Sequence, residues 1–147
     1  MRYDLSRIHE QCQESGIPSR IVDEQNLEID LGHGAVLRFE NAEREEDCLI
    51  GFAGMLWHTH DDLMFVDGRH NYAKLNYLDL VKDLKEGRVL VCERQVDGLI
   101  VDRWLIHSEF NDEFKYLEEG ERIIVHRAST RPVPCTVREL NVIKNED

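Results

Sequence analysis

Two histidines, His58 and His60, stand two residues apart in "GMLWHTHDDLMF" (residues 54–65), with Asp61 and Asp62 directly behind them. Imidazole and carboxylate are the donors that zinc takes, usually three or four at a time. If the apolar residues before the pair run into it as a strand, the period of two puts both imidazoles on one face, where they could share an ion with Asp62. The alternative is a strand that ends in polar residues, with the aspartates opening the next loop. That alternative needs no further ligand and is the plainer one, so no cofactor is expected. Of the other histidines, only His70 in "DGRHNY" is close by in sequence. No serine sits in a nucleophile elbow, and "GHG" at 32–34 lacks the remainder of a phosphate-binding loop.

The string resembles two families of metal-dependent hydrolases. Metallo-β-lactamase-like enzymes carry H-x-H-x-D-H after an apolar strand, and "HTHDDL" is similar to it through Asp62, with Leu63 where the last histidine belongs. JAMM-type metallopeptidases carry H-x-H-P followed by a ligand aspartate. Here Asp61 replaces the proline and Asn71 stands at the aspartate's spacing. Either resemblance would imply a small metal-dependent hydrolase using His58, His60 and Asp62. Each lacks a required ligand.

Charge points elsewhere. The chain of 147 residues carries 30 acidic and 18 basic side chains, a formal net charge of −12. Such a field repels phosphate backbones and excludes nucleic acid as the expected partner. The acids are grouped. One group is Glu40, Glu43, Glu45, Glu46 and Asp47; the other, on an expected helix, is Glu109, Asp112, Glu113, Glu118, Glu119 and Glu121. Carboxylates gathered on one face can steer and dock a basic protein. Of these, Glu109, Asp112, Glu113, Glu118 and Glu119 are the candidate partner-binding residues. A solvated helix face is the plainer reading. In size, charge and lack of a complete catalytic set the chain resembles bacterial toxin-immunity proteins. That resemblance implies a non-enzymatic inhibitor that binds a basic toxin through acidic surfaces.

The start, "MRYDLSRIHE", has no apolar run, and no window is long and apolar enough to span a membrane, so a cytoplasmic protein is expected. Cys12, Cys48, Cys92 and Cys135 lie far apart without a C-x-x-C pair, which fits reduced thiols.

The elements that position these residues follow from periodicity. "YDLSRIHEQCQES" (3–15) puts Leu5, Ile8 and Cys12 on one helical face before Gly16. "NLEIDL" and "AVLRF" alternate around "GHG" as a hairpin. "CLIGFAGMLW" reads as one central strand buried on both faces. A second helix runs from Asn76 to Gly87, and "RVLVCE" and "GLIVDRWLIH" form a second hairpin around "VDG". A third helix is expected over "SEFNDEFKYLEEG", then the strand "RIIVHR" and a proline-marked edge at Pro132 and Pro134. The expected fold is α+β, a single domain over residues 1–147. It has a mostly antiparallel sheet of about six strands and about three helices. The expected core includes Leu27, Ile29, Leu37, Phe39, Ile50, Val89, Val91, Ile100, Trp104, Ile106, Ile123 and Val125 on the strands. Leu5, Ile8, Val81, Leu84, Phe114 and Leu117 are expected on the helices.

Overall fold

The computed structural model describes residues 1–112, 118–128 and 133–134. It begins with helix α1 (Leu5–Ser15), whose N-terminus is capped by the Asp4 carboxylate accepting from the Arg7 amide at 3.1 Å. Gly16, at φ 70°, closes it in the left-handed conformation that glycine adopts without penalty. Five strands follow as an antiparallel meander, β1 (Ser19–Asp23), β2 (Asn26–Asp30), β3 (Val36–Glu40), β4 (Leu49–Phe52) and β5 (His58–Thr59), each beside the next. A ribbon of β6 (Leu63–Val66) and β7 (Tyr72–Leu75) leads to helix α2 (Leu80–Glu86). The last sheet has the order β11-β10-β8-β9, from β8 (Val89–Val96), β9 (Leu99–His107), β10 (Glu121–His126) and β11 (Val133–Pro134). All pairings are antiparallel among the described residues, so the α+β class stands. There are more and shorter strands than expected. Two α-helices are described; of the expected third, residues 108–112 and 118–120 are bends, turns and irregular backbone rather than helix, and residues 113–117, with Phe114 and Leu117, lie outside the described residues.

One apolar cluster joins the meander to the last sheet. Leu27, Ile29, Leu37, Phe39 and Ile50 meet Val89, Val91 and Leu105 there, with Leu5, Ile8, Val81 and Leu84 from the helices. A second cluster, Leu90, Cys92, Ile106, Ile123 and Val125 with Trp104 against it, lies on the opposite face of the last sheet. The side chains from Val89 to Cys92 therefore alternate between two cores.

Two expectations need correction. The run Cys48–Trp57 is not one buried strand. β4 ends at Phe52, Gly54 turns at φ 77°, and β5 returns to pair Thr59 with Ile50 and His58 with Gly51. Gly51 permits this, because a Cβ there would stand 3.0 Å from the Trp57 carbonyl and 3.1 Å from the His58 Cβ. The strand buried on both faces is β8. Second, Ile100 is not core. Between Arg94↔Asp102 and Gln95↔Ile100 the register slips, so Val101 is an extra residue on β9, and the hairpin beyond it projects past the core.

Phe39 is fully buried and meets the Tyr3 ring edge-on with centroids 5.2 Å apart. Phe39→Ala should cost about 3–5 kcal/mol. Urea unfolding measures it, and a loss below about 0.5 kcal/mol would place Phe39 on the surface.

Candidate functional site

His58 and His60 do come together. Both are exposed on one face of the β5 edge, their rings edge to face with centroids 5.2 Å apart. Each Nδ1 lies against a backbone carbonyl, Leu56 O at 3.0 Å for His58 and Cys48 O at 2.7 Å for His60. A carbonyl only accepts, so each Nδ1 carries a proton, and in the neutral ring Nε2 is the nitrogen with the lone pair. That tautomer suits a metal ligand. The third donor is what fails to converge. Asp62 accepts from the Tyr77 amide at 2.9 Å, holding the turn into α2, and Asp61 pairs with the N-terminal ammonium at 2.9 Å. Among the described residues no group of three histidine, cysteine or carboxylate side chains could hold a metal ion.

The candidate partner-binding acids are not gathered on one face. Glu109 is exposed just beyond the end of β9, where its amide donates to His107 Nδ1 at 3.1 Å, and Asp112 follows, half-buried. Glu118 and Glu119 are exposed at the other end. There the Asp97 amide of the β8–β9 turn donates to Gly120 O at 3.2 Å, and Glu121 pairs with Val96. β9 runs between the two groups, roughly 26 Å at about 3.3 Å per residue. Glu113 lies outside the described residues.

Beside the Asp112 end of β9 lies a groove of about 210 Å³, lined by Trp57 and His58 beside β5, Met64 and Val66 of β6, Trp104 of β9, and Phe110 and Asp112. Its lining mixes aromatic and apolar side chains with the polar His58, Thr59 and Asp112. Met64, Val66 and Tyr72 are all exposed on the β6–β7 ribbon beside it, and Leu56 is exposed in the turn before β5. The Asp67 carboxylate fixes the ribbon's turn by accepting from the amides of Arg69 at 2.7 Å and Asn71 at 3.0 Å. Those bonds hold its pKa below the usual carboxylate range.

A buried polar row, not among the residues singled out from the sequence, lies on the last sheet. Glu93 on β8 stands opposite Arg103 on β9; both are buried, and Arg103 Nε donates to Glu93 Oε2 at 3.2 Å. Gln95 Nε2 donates to the other oxygen at 3.2 Å. On β10, His126 is 1% exposed. Its ring meets that of His33 edge-on at 5.4 Å, and its Nδ1 donates to Arg127 O at 2.8 Å. Its Nε2 is buried without a hydrogen-bond partner. Burial first, then His33 and Arg103, push its pKa below the usual histidine value, against the pull of the Arg127 carbonyl and Glu93. The signal was there to read: adjacent pairs of polar residues, Glu93 and Arg94, Asp102 and Arg103, His126 and Arg127, set within or at the end of the apolar runs "VLVCER", "IVDRWLI" and "IIVHR".

Compared with protein-family models, with curated proteins and with solved structures, the chain matches none.

Two predictions follow from this geometry. With two imidazoles and no converging third ligand, zinc should bind weakly and equally to the wild type and to a His58→Ala, His60→Ala double variant. Calorimetric titration showing stoichiometric, micromolar binding in the wild type alone would establish a site. For His126, the folded pKa is the depressed one, so the unfolded chain takes up the proton first as pH falls. Stability is full above about pH 6.5 and declines below it. Urea unfolding at pH 7.5 and 5.5 should show that decline, and His126→Phe should flatten it. An identical decline in the variant would move the cause to other groups.

Proposed function

We propose that this chain is a non-enzymatic protein-binding module that docks a basic protein partner, as the immunity proteins of toxin systems do. The observation that carries the reading is the groove between β5, β6 and β9. It brings the half-buried Trp57, Trp104 and Phe110 together with the exposed Met64 and Val66 and with Asp112, on a chain with a net charge of −12. Buried apolar contact supplies the affinity of such interfaces, while opposite charge supplies the approach rate and rejects wrong partners. A cytoplasmic setting belongs to the same proposal, supported by the buried thiols of Cys12, Cys48 and Cys92. No helix among the described residues is long and apolar enough to cross a membrane. The alternative, a metal-dependent hydrolase on His58, His60 and Asp62, would need the three side chains to converge, and no such group of three stands together among the described residues.

The test is to isolate the partner by cross-linking in its native extract and to measure association of the purified pair by stopped flow. Glu109→Lys with Glu118→Lys should slow association about tenfold at low salt and flatten its dependence on ionic strength. Association rates equal to the wild type across the salt range would assign those carboxylates to solubility alone. Trp57→Ala should instead speed dissociation, because a buried aromatic anchor acts after encounter.

A further inference from the structure

The glycine–histidine–glycine turn between β2 and β3 takes no part in the docking groove. Gly32, His33 and Gly34 stand at φ 90°, 55° and 82°. His33 and Gly34 are exposed, whereas Leu31 and Ala35 on either side are fully buried. The Ala35 amide closes the turn by donating to Gly32 O at 3.0 Å, and the Leu31 amide donates to Ala35 O at 2.9 Å. A glycine on each side of His33 gives the segment a hinge at both ends. The segment meets the last sheet at two polar side chains. The His33 ring stands edge-on to His126 with centroids 5.4 Å apart, and a Cβ at Gly34 would lie 3.4 Å from the Arg103 guanidinium.

His126 lies beneath this turn as a buried base. It is 1% exposed, and its Nδ1 donates to Arg127 O, so the lone pair is on Nε2, which is buried without a hydrogen-bond partner. A proton on Nε2 would create a buried cation, which desolvation opposes. His33 on the turn and Arg103 on β9 oppose it too, and Glu93 on β8 favours it. Both oxygens of Glu93 are engaged, one by Arg103 and one by Gln95, each at 3.2 Å. Asp30, at the start of the turn, accepts from the Gly32 amide at 2.9 Å. Arg127 sends its guanidinium to Lys85 O at 2.9 Å, and the described residues of β11, Val133 and Pro134, do not titrate. The closed fold thus offers a proton on Nε2 no ready acceptor among the described residues.

We infer that the β2–β3 turn is a proton-operated latch: closed, it shields His126, and when Nε2 takes up a proton, residues 32–34 swing out on their glycines and admit water to the imidazolium and to the Glu93–Arg103 pair. One proton passes from solvent to Nε2, and the hydrogen bond from the Ala35 amide to Gly32 O breaks. Leu31 and Ala35 stay in the core, so the opening is local. The sign follows from burial. The closed form holds the imidazole neutral, and the open form hydrates it and takes the proton more readily. Opening is therefore suppressed above the usual histidine value, about 6.5, and grows as pH falls below it. The latch is independent of the docking proposal, since neither the groove nor its acids enter it.

Amide hydrogen exchange followed by NMR at pH 7.5 and 5.5, corrected for the intrinsic pH dependence of exchange, reads the latch residue by residue. Opening at the Ala35 amide should rise about tenfold over that interval, as expected for one group that titrates near 6.5 once hydrated. Val91 and Cys92, in the middle of β8, should change less than about twofold, because a local opening leaves them closed. In His126→Phe, which keeps a ring in place and takes no proton, the Ala35 response should vanish. Should that variant not fold, His126→Gln replaces it with the same expectation. Three results would overturn the inference. A His126 ring that becomes charged, by its nitrogen shifts, while Ala35 stays protected would mean that Glu93 accepts the proton inside the closed fold. Equal loss of protection at Ala35, Val91 and Cys92 would mean that the proton enters only on global unfolding. A response that persists in the His126 variant would move the trigger to His33.

Discussion

The double burial of β8 is the constraint on which the rest depends. Val89 and Val91 face the core shared with the meander, while Leu90 and Cys92 face the opposite cluster. A strand with an apolar pattern on both faces could slide by one residue with little hydrophobic loss, since either face accepts either set. Glu93 removes that freedom. In the native register it stands opposite Arg103, with Gln95 on its second oxygen. A slip would carry its carboxylate to the other face and leave Arg103 buried without its partner, a penalty of about 3–5 kcal/mol. The pair adds little net stability over apolar residues of the same shape. Its effect is to single out one register, and with it the positions of β9 and β10.

Arg103 also ties the two sheets together. A Cβ at Gly34 would stand 3.4 Å from its guanidinium, so the β2–β3 turn lies directly over the buried pair. That turn holds Gly32, His33 and Gly34 all at positive φ. Glycine takes that conformation freely and histidine does not. The strained residue is the one whose ring reaches His126. The second sheet is thereby registered against the first through polar contacts as well as through the shared apolar cluster.

Much of this fold was legible in the sequence. Leu5, Ile8 and Cys12 marked α1; Asn76 and Gly87 bounded the second helical segment; and the alternation of Leu27, Ile29, Leu37 and Phe39 gave both the β2–β3 hairpin and its buried face. What failed was tertiary in origin. "CLIGFAGMLW" is apolar throughout, and periodicity cannot show that Gly51 is there to let Trp57 approach its backbone. β1 escaped notice because its side chains are mostly exposed and carry no alternation; pairing with β2 alone defines it. Ile100 was misplaced because a bulge resets the period midway along a strand. Of the site, the histidine pair was legible as a pair, since a spacing of two fixes a shared face whichever strand bears it. The acids were legible as a group in sequence but not in space, since Glu109 follows the end of β9 and Glu118 stands near the β8–β9 turn at its start, a strand's length away.

That separation changes what the charge can do. Carboxylates on one helix face would make a single patch, attractive to almost any cation. Set the length of a strand apart, Glu109 and Glu118 act on a passing cation as separate charges, because roughly 26 Å is well beyond the Debye length of about 8 Å at physiological salt. At one end of that strand the chain exposes Leu99, Ile100 and Val101 on a strand without a lysine. Two features limit that exposure. The bulge bends the edge away from flat pairing, and a net charge of −12 keeps copies of the chain apart at low salt. Negative charge thus opposes self-association of the exposed strand whatever else it does.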